Sequence, residues 1–320
     1  MKICLSMIVK DEEKVILRCL NSVLPIIDSY IIVDTGSTDN TKSLIKNFFD
    51  EKGIEGEILD YEFTNFSDSR NFAINSSINK TDFCFTIDAD EILSFESSKE
   101  EVKSFLEDTD SAIINVSYNG TVYGRKSFFK PEKFKYIGAV HEVLIPTQEN
   151  TTEKNILGIT TIVNSDGNSW SIGEKEKYLN HVKIFLQDID KNGLEPRNVF
   201  YLAQSYRDSR DYENALLWYQ KRLTLENGFY EELYFSQLMV GYMKWYLGKP
   251  IWEVAHEFMA CSEYDPLRCE HFTNLKLFYE KNNFPNSAKQ IEKILLTYKG
   301  KNPYPNRLLF INEDSYKMEG

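Results

Sequence analysis

Up to about residue 90, short apolar runs rich in β-branched residues alternate with stretches in which apolar positions recur every three or four residues. The runs Ile3 to Val9, Tyr30 to Val33, Glu57 to Phe63 and Phe83 to Ile87 read as strands, with helices starting near Glu12, Asp39 and Ser67. This alternation predicts parallel strands joined by right-handed crossovers. Open sheets of that kind collect ligands at the carboxyl ends of their strands.

Beyond Ser94 the alternation weakens. Strand-like stretches follow at about 112–118, 121–129, 142–146 and 156–164, separated by Pro131, Gly138, Pro146 and polar turns. They predict a mixed-sheet extension that lays walls over the cleft. From Ser171 onward the pattern is helical, with aromatic residues and leucines at helical spacing. There Leu202, Ala203, Tyr206, Tyr212, Ala215 and Tyr219 are echoed by Val240, Gly241, Tyr242, Gly248, Ala255 and Phe258, and more loosely by Leu277, Tyr279, Ala288 and Ile291. Small residues at fixed offsets, where paired helices cross, mark tetratricopeptide-like repeats. The expected organisation is therefore an α/β domain over 1–168, an all-α repeat domain over 169–300 and a polar, poorly packed tail over 301–320 carrying Pro303 and Pro305.

The expected strand ends carry the chemistry. Lys10-Asp11-Glu12 follows the first strand, Asp34-Thr35-Gly36-Ser37-Thr38-Asp39 the second and Asp88-Ala89-Asp90 the fourth, so the three should meet in one cleft. Gly36 permits a turn, Ser37 or Thr38 can cap the next helix, and Asp34 is left pointing into the crevice. Carboxylates two residues apart at the end of a buried strand are costly unless a cation lies between them. Hard oxygen ligands suit Mg2+ or Mn2+, which complete their shells with water and a substrate's phosphates.

Composition narrows the field. Among 320 residues, 42% are apolar and 27% charged, as in globular proteins, and no run approaches the length of a membrane span. A net charge of -12 leaves no basic stripe for nucleic acid. Met1 to Val9 lacks a basic flank and a small-residue cleavage site, so it reads as a strand and not a signal. Five cysteines form no CxxC pair, which suits buried thiols in a reducing, cytoplasmic setting.

Four motifs in order now resemble a known family: Leu5-Ser6-Met7-Ile8-Val9-Lys10-Asp11-Glu12-Glu13, Ile31-Ile32-Val33-Asp34-Thr35-Gly36-Ser37-Thr38-Asp39, Phe66-Ser67-Asp68-Ser69-Arg70-Asn71 and Ile87-Asp88-Ala89-Asp90-Glu91. The chain resembles family 2 glycosyltransferases of the GT-A fold, in the branch whose nucleotide-sugar-binding mixed sheet precedes tetratricopeptide repeats. It is similar to lipopolysaccharide-core glucosyltransferases in Gly138-Ala139-Val140-His141-Glu142, and to sublancin-type peptide S-glycosyltransferases in its domain pairing.

The resemblance implies a metal-dependent, inverting transfer of a hexose or N-acetylhexosamine from a UDP-sugar. The acceptor it suggests is a protein or peptide of bacteriocin or flagellin type, presented through the repeats, or a cell-surface glycan. By the same resemblance, Asp34 reads the uracil imide, Arg70 faces the nucleotide, and Val9, Glu12 and Gly36 line its site. Asp88 touches ribose and metal, Asp90 is the direct metal ligand with a part in catalysis, and Glu91 either faces the metal or braces the pair from behind. Asn164 stands where many relatives have a metal-binding histidine. The base is Glu142, or alternatively Asp166. His141 is either a substrate contact or a buried histidine bonded to a backbone carbonyl, and His181, His256 and His271 are structural. The competing readings are a catalytically degenerate fold serving as a protein-binding scaffold and a nucleotidyltransferase, which would release pyrophosphate.

Overall fold

The computed structural model describes residues 1–168, 173–301 and 313–316. It divides into two compact units, Met1–Lys177 and Tyr178–Gly320. The expected helix start at Ser171, and all of the tail except residues 301 and 313–316, lie outside the described residues.

The first unit is built on one eight-stranded sheet and a two-stranded hairpin. β1 (Ile3–Val9) pairs in parallel with β2 (Ser29–Asp34) and β4 (Phe83–Phe85), and β2 with β3 (Gly56–Asp60). The near-continuous apolar run of β1 follows from cover on both faces, as expected for a central parallel strand. α1 (Ile16–Val23), α2 (Thr41–Lys52) and α3 (Phe66–Ser77) make the crossovers. α1 buries Ile16, Cys19, Leu20 and Val23, one stripe at helical spacing. Each large apolar side chain so buried contributes about 1.5–3 kcal/mol.

Beyond β4 the sheet turns mixed. β5 (Glu91–Phe95), β6 (Ser111–Tyr118), β7 (Thr121–Phe129) and β10 (Glu153–Val163) extend it in the order β3-β2-β1-β4-β7-β6-β10-β5. β8 (Phe134–Ile137) and β9 (Val143–Pro146) form the separate hairpin. β5, β8 and α4 (Lys99–Phe105) were not among the expected elements, although Ser98 and Glu101 close a capping box on α4 that the sequence displays openly.

The second unit is helical. α5 (Glu174–Asn192), which starts just before it, leads to α6 (Pro196–Asp208) and α7 (Tyr212–Leu223), then α8 (Glu231–Tyr246) and α9 (Ile251–Ala260), then α10 (Glu270–Lys281) and α11 (Pro285–Leu295). Ala203, Ala215, Gly241, Ala255 and Ala288 are all buried, as the repeat pattern requires. At Gly241 a Cβ would lie 2.8 Å from the Phe258 ring, so only glycine lets α8 and α9 approach this closely.

The tail departs from expectation at its described part. Tyr316 is buried, its hydroxyl donates to Glu270 Oε2 at 3.0 Å and accepts from the Cys269 N–H at 3.3 Å, and its carbonyl accepts from Gly300 N. These bonds tie the described residues 313–316 to the start of α10. All five cysteines are buried and free. No described helix is long and apolar enough to cross a membrane.

Candidate active site

The carboxyl ends of β1 and β2 are stitched to one another by side chains. Asp11, in the left-handed region at φ 53°, accepts from Thr38 N at 2.6 Å, while its own N–H donates to Ser37 Oγ at 2.9 Å. Glu12 N–H donates to Thr41 Oγ1 and Glu13 N–H to Asp39 Oδ2. Ser37 and Thr38 therefore do not cap α2. Its first turn is served by Asp39 Oδ1, which accepts from Thr41 N at 2.9 Å, and the pull of Asp11 explains why the expected caps went elsewhere.

Asp34 ends β2 with 2% of its surface exposed. Its Oδ1 accepts from the N–H groups of Gly36 at 3.0 Å and Ser37 at 2.9 Å, a turn that Gly36 makes possible at φ 103°. Its Oδ2 is buried and has no protein partner. A buried acceptor left unpaired is destabilising unless a ligand supplies the donor. Val9 turns its side chain into the core, and its carbonyl accepts from both N and Oγ1 of Thr35, so its side chain is not offered to a ligand.

Between α3, the turn after β4 and the loop before β9 runs a chain of alternating charges. Arg70, on α3, donates through Nε to Glu142 Oε1 at 2.5 Å and through NH2 to Asp88 Oδ1 at 2.7 Å, with its guanidinium 5.5 Å from the centre of the Tyr136 ring. α3 is started by Asn65, whose side chain accepts from Asp68 N–H, and is tied to β8 by Asn71, which both donates to Tyr136 O and accepts from Tyr136 N–H. The loop carrying Glu142 is tied to the same helix by Phe66 N–H on Ala139 O. One helix thus sets both partners of the ion pair. Glu142 is 13% exposed and Asp88 43%, so the pair lines an open wall rather than a sealed core. Removal from water raises the Asp88 pKa, and the Arg70 and Arg125 charges outweigh it, so the carboxyl lies below its ordinary range.

Glu91 is 3% exposed and is gripped by Arg125 through both oxygens, at 2.8 and 2.6 Å. It braces the aspartate turn from behind, accepting the Asp88 N–H at 3.0 Å. Asp90 is held by its carbonyl, which accepts from the N–H and Nδ2 of Asn164 at 3.4 and 3.3 Å and from Arg18 at 3.4 Å. Asp166 is fixed by a two-pronged bond to Arg18 at 2.7 and 2.6 Å, which engages both its oxygens and leaves it poorly placed to take a proton. His141 is exposed in the left-handed region at φ 55°, which removes the buried-histidine alternative. His271 is buried between Tyr234 Oη and Ser262 Oγ, each at 2.9 Å, a structural role.

A crevice of about 320 Å³ opens at the end of β1, lined by Asp11, Glu12, Lys14, Asp39, Asp166 and Gly167 among others. Gly167 lies against the Asp90 and Glu12 side chains. Burial, and after it the charges of Asp90 and Asp88, push the Glu12 carboxyl up to about 7, although it accepts the Asn168 N–H at 3.1 Å. Among the described residues no three His, Cys, Asp or Glu side chains form a metal cage. The donor set instead fits a hard cation that takes few protein oxygens and completes its shell with phosphate and water.

Arg125, Arg18 and Tyr136 were not foreseen. For Arg125 the available signal was a basic residue at an otherwise ordinary strand position, since a guanidinium inside a sheet needs a carboxylate; Arg18, on α1, and the uncharged Tyr136 carried no such signal.

Residues 4–174 match the profile of glycosyl transferase family 2. The chain belongs to that family. The chain is also 33% identical over 124 residues to a tetratricopeptide-repeat-containing protein of Synechococcus elongatus, a match spanning 39% of this chain and 29% of that relative's length. Among solved structures, TarS 1–349 of S. aureus aligns over 93% of this chain and 92% of its own at 12% identity and a TM-score of 0.40. YrrB, a tetratricopeptide protein with an unusual peptide-binding site, aligns over 37% of this chain and 59% of its own at 18% identity and a TM-score of 0.32.

Proposed function

We propose that the crevice binds a UDP-sugar together with Mn2+ or Mg2+ and passes its hexose or N-acetylhexosamine to an acceptor by a single in-line displacement. The observation that carries this reading is the unpaired, buried Oδ2 of Asp34 at the carboxyl end of β2. An imide N–H supplies the donor that Oδ2 lacks; uracil and thymine carry one and cytosine does not, and the family resemblance favours uracil.

Asp88 and Asp90 would hold the metal, with the Asn164 side chain beside them. When bound, the metal neutralises the charge that grows on the leaving diphosphate. The chain's own residues do the rest. Glu12 lies near the Asp90 and Asp88 charges and would face the cation, Arg70 would present a guanidinium at the nucleotide's edge, and Glu91 keeps the aspartate turn in place. Glu142 gives Oε1 to Arg70, so its Oε2 takes the acceptor's proton. The paired helices α6 to α11 suit an extended polypeptide acceptor, because stacked helix pairs offer concave faces. The Synechococcus elongatus relative is named for repeats of this kind.

A thermal-shift panel of UDP-, GDP- and dTDP-sugars, with and without Mn2+, tests the reading. The UDP-sugars should raise the melting temperature, and more so with Mn2+, since a ligand of the folded form stabilises it. A panel in which no sugar nucleotide moves the melting point would overturn it.

A further inference from the structure

The chain leaves β4 at Phe85 and enters β5 at Glu91, yet β7, β6 and β10 lie between those two strands in the sheet. The turn Asp88-Ala89-Asp90 therefore crosses between strands that do not pair with each other. What closes it is local: Glu91 Oε2 accepts the Asp88 N–H at 3.0 Å, and the Glu91 N–H returns to Asp88 O at 3.0 Å. That ring needs the Glu91 carboxylate in one orientation, inside a site where a buried, unpaired carboxylate is strongly unfavourable. Arg125 supplies the orientation with a fork at 2.8 and 2.6 Å. Its own backbone is fixed in the ladder opposite Ile114, so the fork is anchored to the sheet. Both terminal nitrogens of Arg125 are spent on Glu91, and its Nε is buried without a protein partner, so the guanidinium is not presented to a diphosphate.

We propose that Arg125 is a positioning residue for the transfer: acting through Glu91, it holds the aspartate turn in the geometry that reads the donor's metal and diphosphate. This rests on the functional reading above. An Arg125 that only stabilised the fold would change how much protein is folded and leave the affinity of the folded fraction alone. An Arg125 that steers the turn changes that affinity.

The test is a double-mutant cycle of Arg125→Met and Glu91→Gln, with Arg125→Lys as the charge-keeping variant. Calorimetry measures UDP affinity in MnCl2, and UDP-sugar hydrolysis gives the Mn2+ concentration for half-maximal rate. Each single change should weaken UDP binding and raise the Mn2+ requirement by roughly 10- to 100-fold, the scale of a small misplacement at a reacting centre. The double variant should be no worse than the singles, because both break one path. Arg125→Lys should recover only part of the loss, since an ammonium lacks the fork. Effects that add in the double variant would mean that Arg125 acts by a path outside Glu91, through its charge on Asp88 or on the donor itself, and a lowered melting point with unaltered UDP and Mn2+ affinity would mean a purely structural pair. Either overturns the proposal. Should Arg125→Met fail to fold, Glu91→Gln and Arg125→Lys decide it by the same affinities. A wild-type protein that binds no UDP at all fails the functional reading itself, a result distinct from both.

Discussion

The two units of this molecule put the same chemistry to different uses. In the helical unit Arg222 and Glu232 are 0% and 3% exposed, joined at 2.9 Å, and Arg222 also donates to the carbonyls of Leu225, Asn227 and Phe229. Arg268 and Glu270 are likewise sealed, with Tyr234 and Tyr316 around them. In the sheet unit Arg70 joins Asp88 and Glu142 just as closely, but 43% of Asp88 faces solvent. A guanidinium–carboxylate pair that is closed off specifies a fold. One that is open to solvent, in the unit that also holds the unpaired Asp34 Oδ2 and a Glu12 pushed up to about 7, leaves charge available to a ligand.

The largest expected effect breaks the sealed side of this comparison. Arg222→Met leaves Glu232 buried and uncompensated, and should lower the stability of the helical unit by about 3–5 kcal/mol in denaturant unfolding. UDP binding to the protein that remains folded should be unaltered. A loss below about 1 kcal/mol would show that this pair resembles an ordinary surface bridge.

On the open side, Asp90→Ala should leave the melting temperature unchanged or raised, because it relieves repulsion on Glu12, while transfer or hydrolysis falls by about 10²–10³-fold. Unchanged turnover would remove Asp90 from the metal site.

The smallest effect sharpens the contrast by pH. Burial holds His271 down to about 4, so it stays neutral in the folded state, while in the unfolded chain it takes a proton near its ordinary 6.5. The unfolded state then binds more protons between those values, and stability falls as pH drops from about 6.5 towards 4. Tyr234, Ser262, Glu270 and Arg268 all face the ring and remain in place in His271→Gln. That variant should show a shallower decline of melting temperature with acid, and an equal slope in the two proteins would place the acid-sensitive group elsewhere.

Much of this contrast was legible in the chain. The apolar runs of β1 and β2 and the helical spacing of α1 follow from burial alone, and the ends of β1, β2 and β4 were marked by polar motifs that do meet in space. Asp34 was recognisable because a capping turn explains Ser37 to Asp39 but gives no reason for a carboxylate at the end of a buried strand. What escaped depended on contacts between distant segments. Arg125 and Glu91 are 34 residues apart and meet only because β7 inserts beside β4, and Arg18 reaches Asp166 across 148 residues. Ser37 and Thr38 carry cap chemistry, yet the nearer partner was Asp11. Tyr316 lies in a polar stretch whose composition gives no sign of the pocket at Cys269 and Glu270 that receives it. Local pattern sets elements, whereas charge pairing across a mixed sheet is set by strand order, which no window of sequence displays.

The central claim is that Asp34, at the end of β2, waits for a uracil ring in a crevice that also grips a cation and a diphosphate. Calorimetric titration of UDP into the wild-type chain and into Asp34→Ala, both in MnCl2, tests it most directly. The account predicts clear binding by the wild type that is weakened by roughly 10- to 100-fold in Asp34→Ala, the size expected for one buried hydrogen bond to a charged group. Equal affinity in the two proteins, or no heat of binding in either, would contradict it.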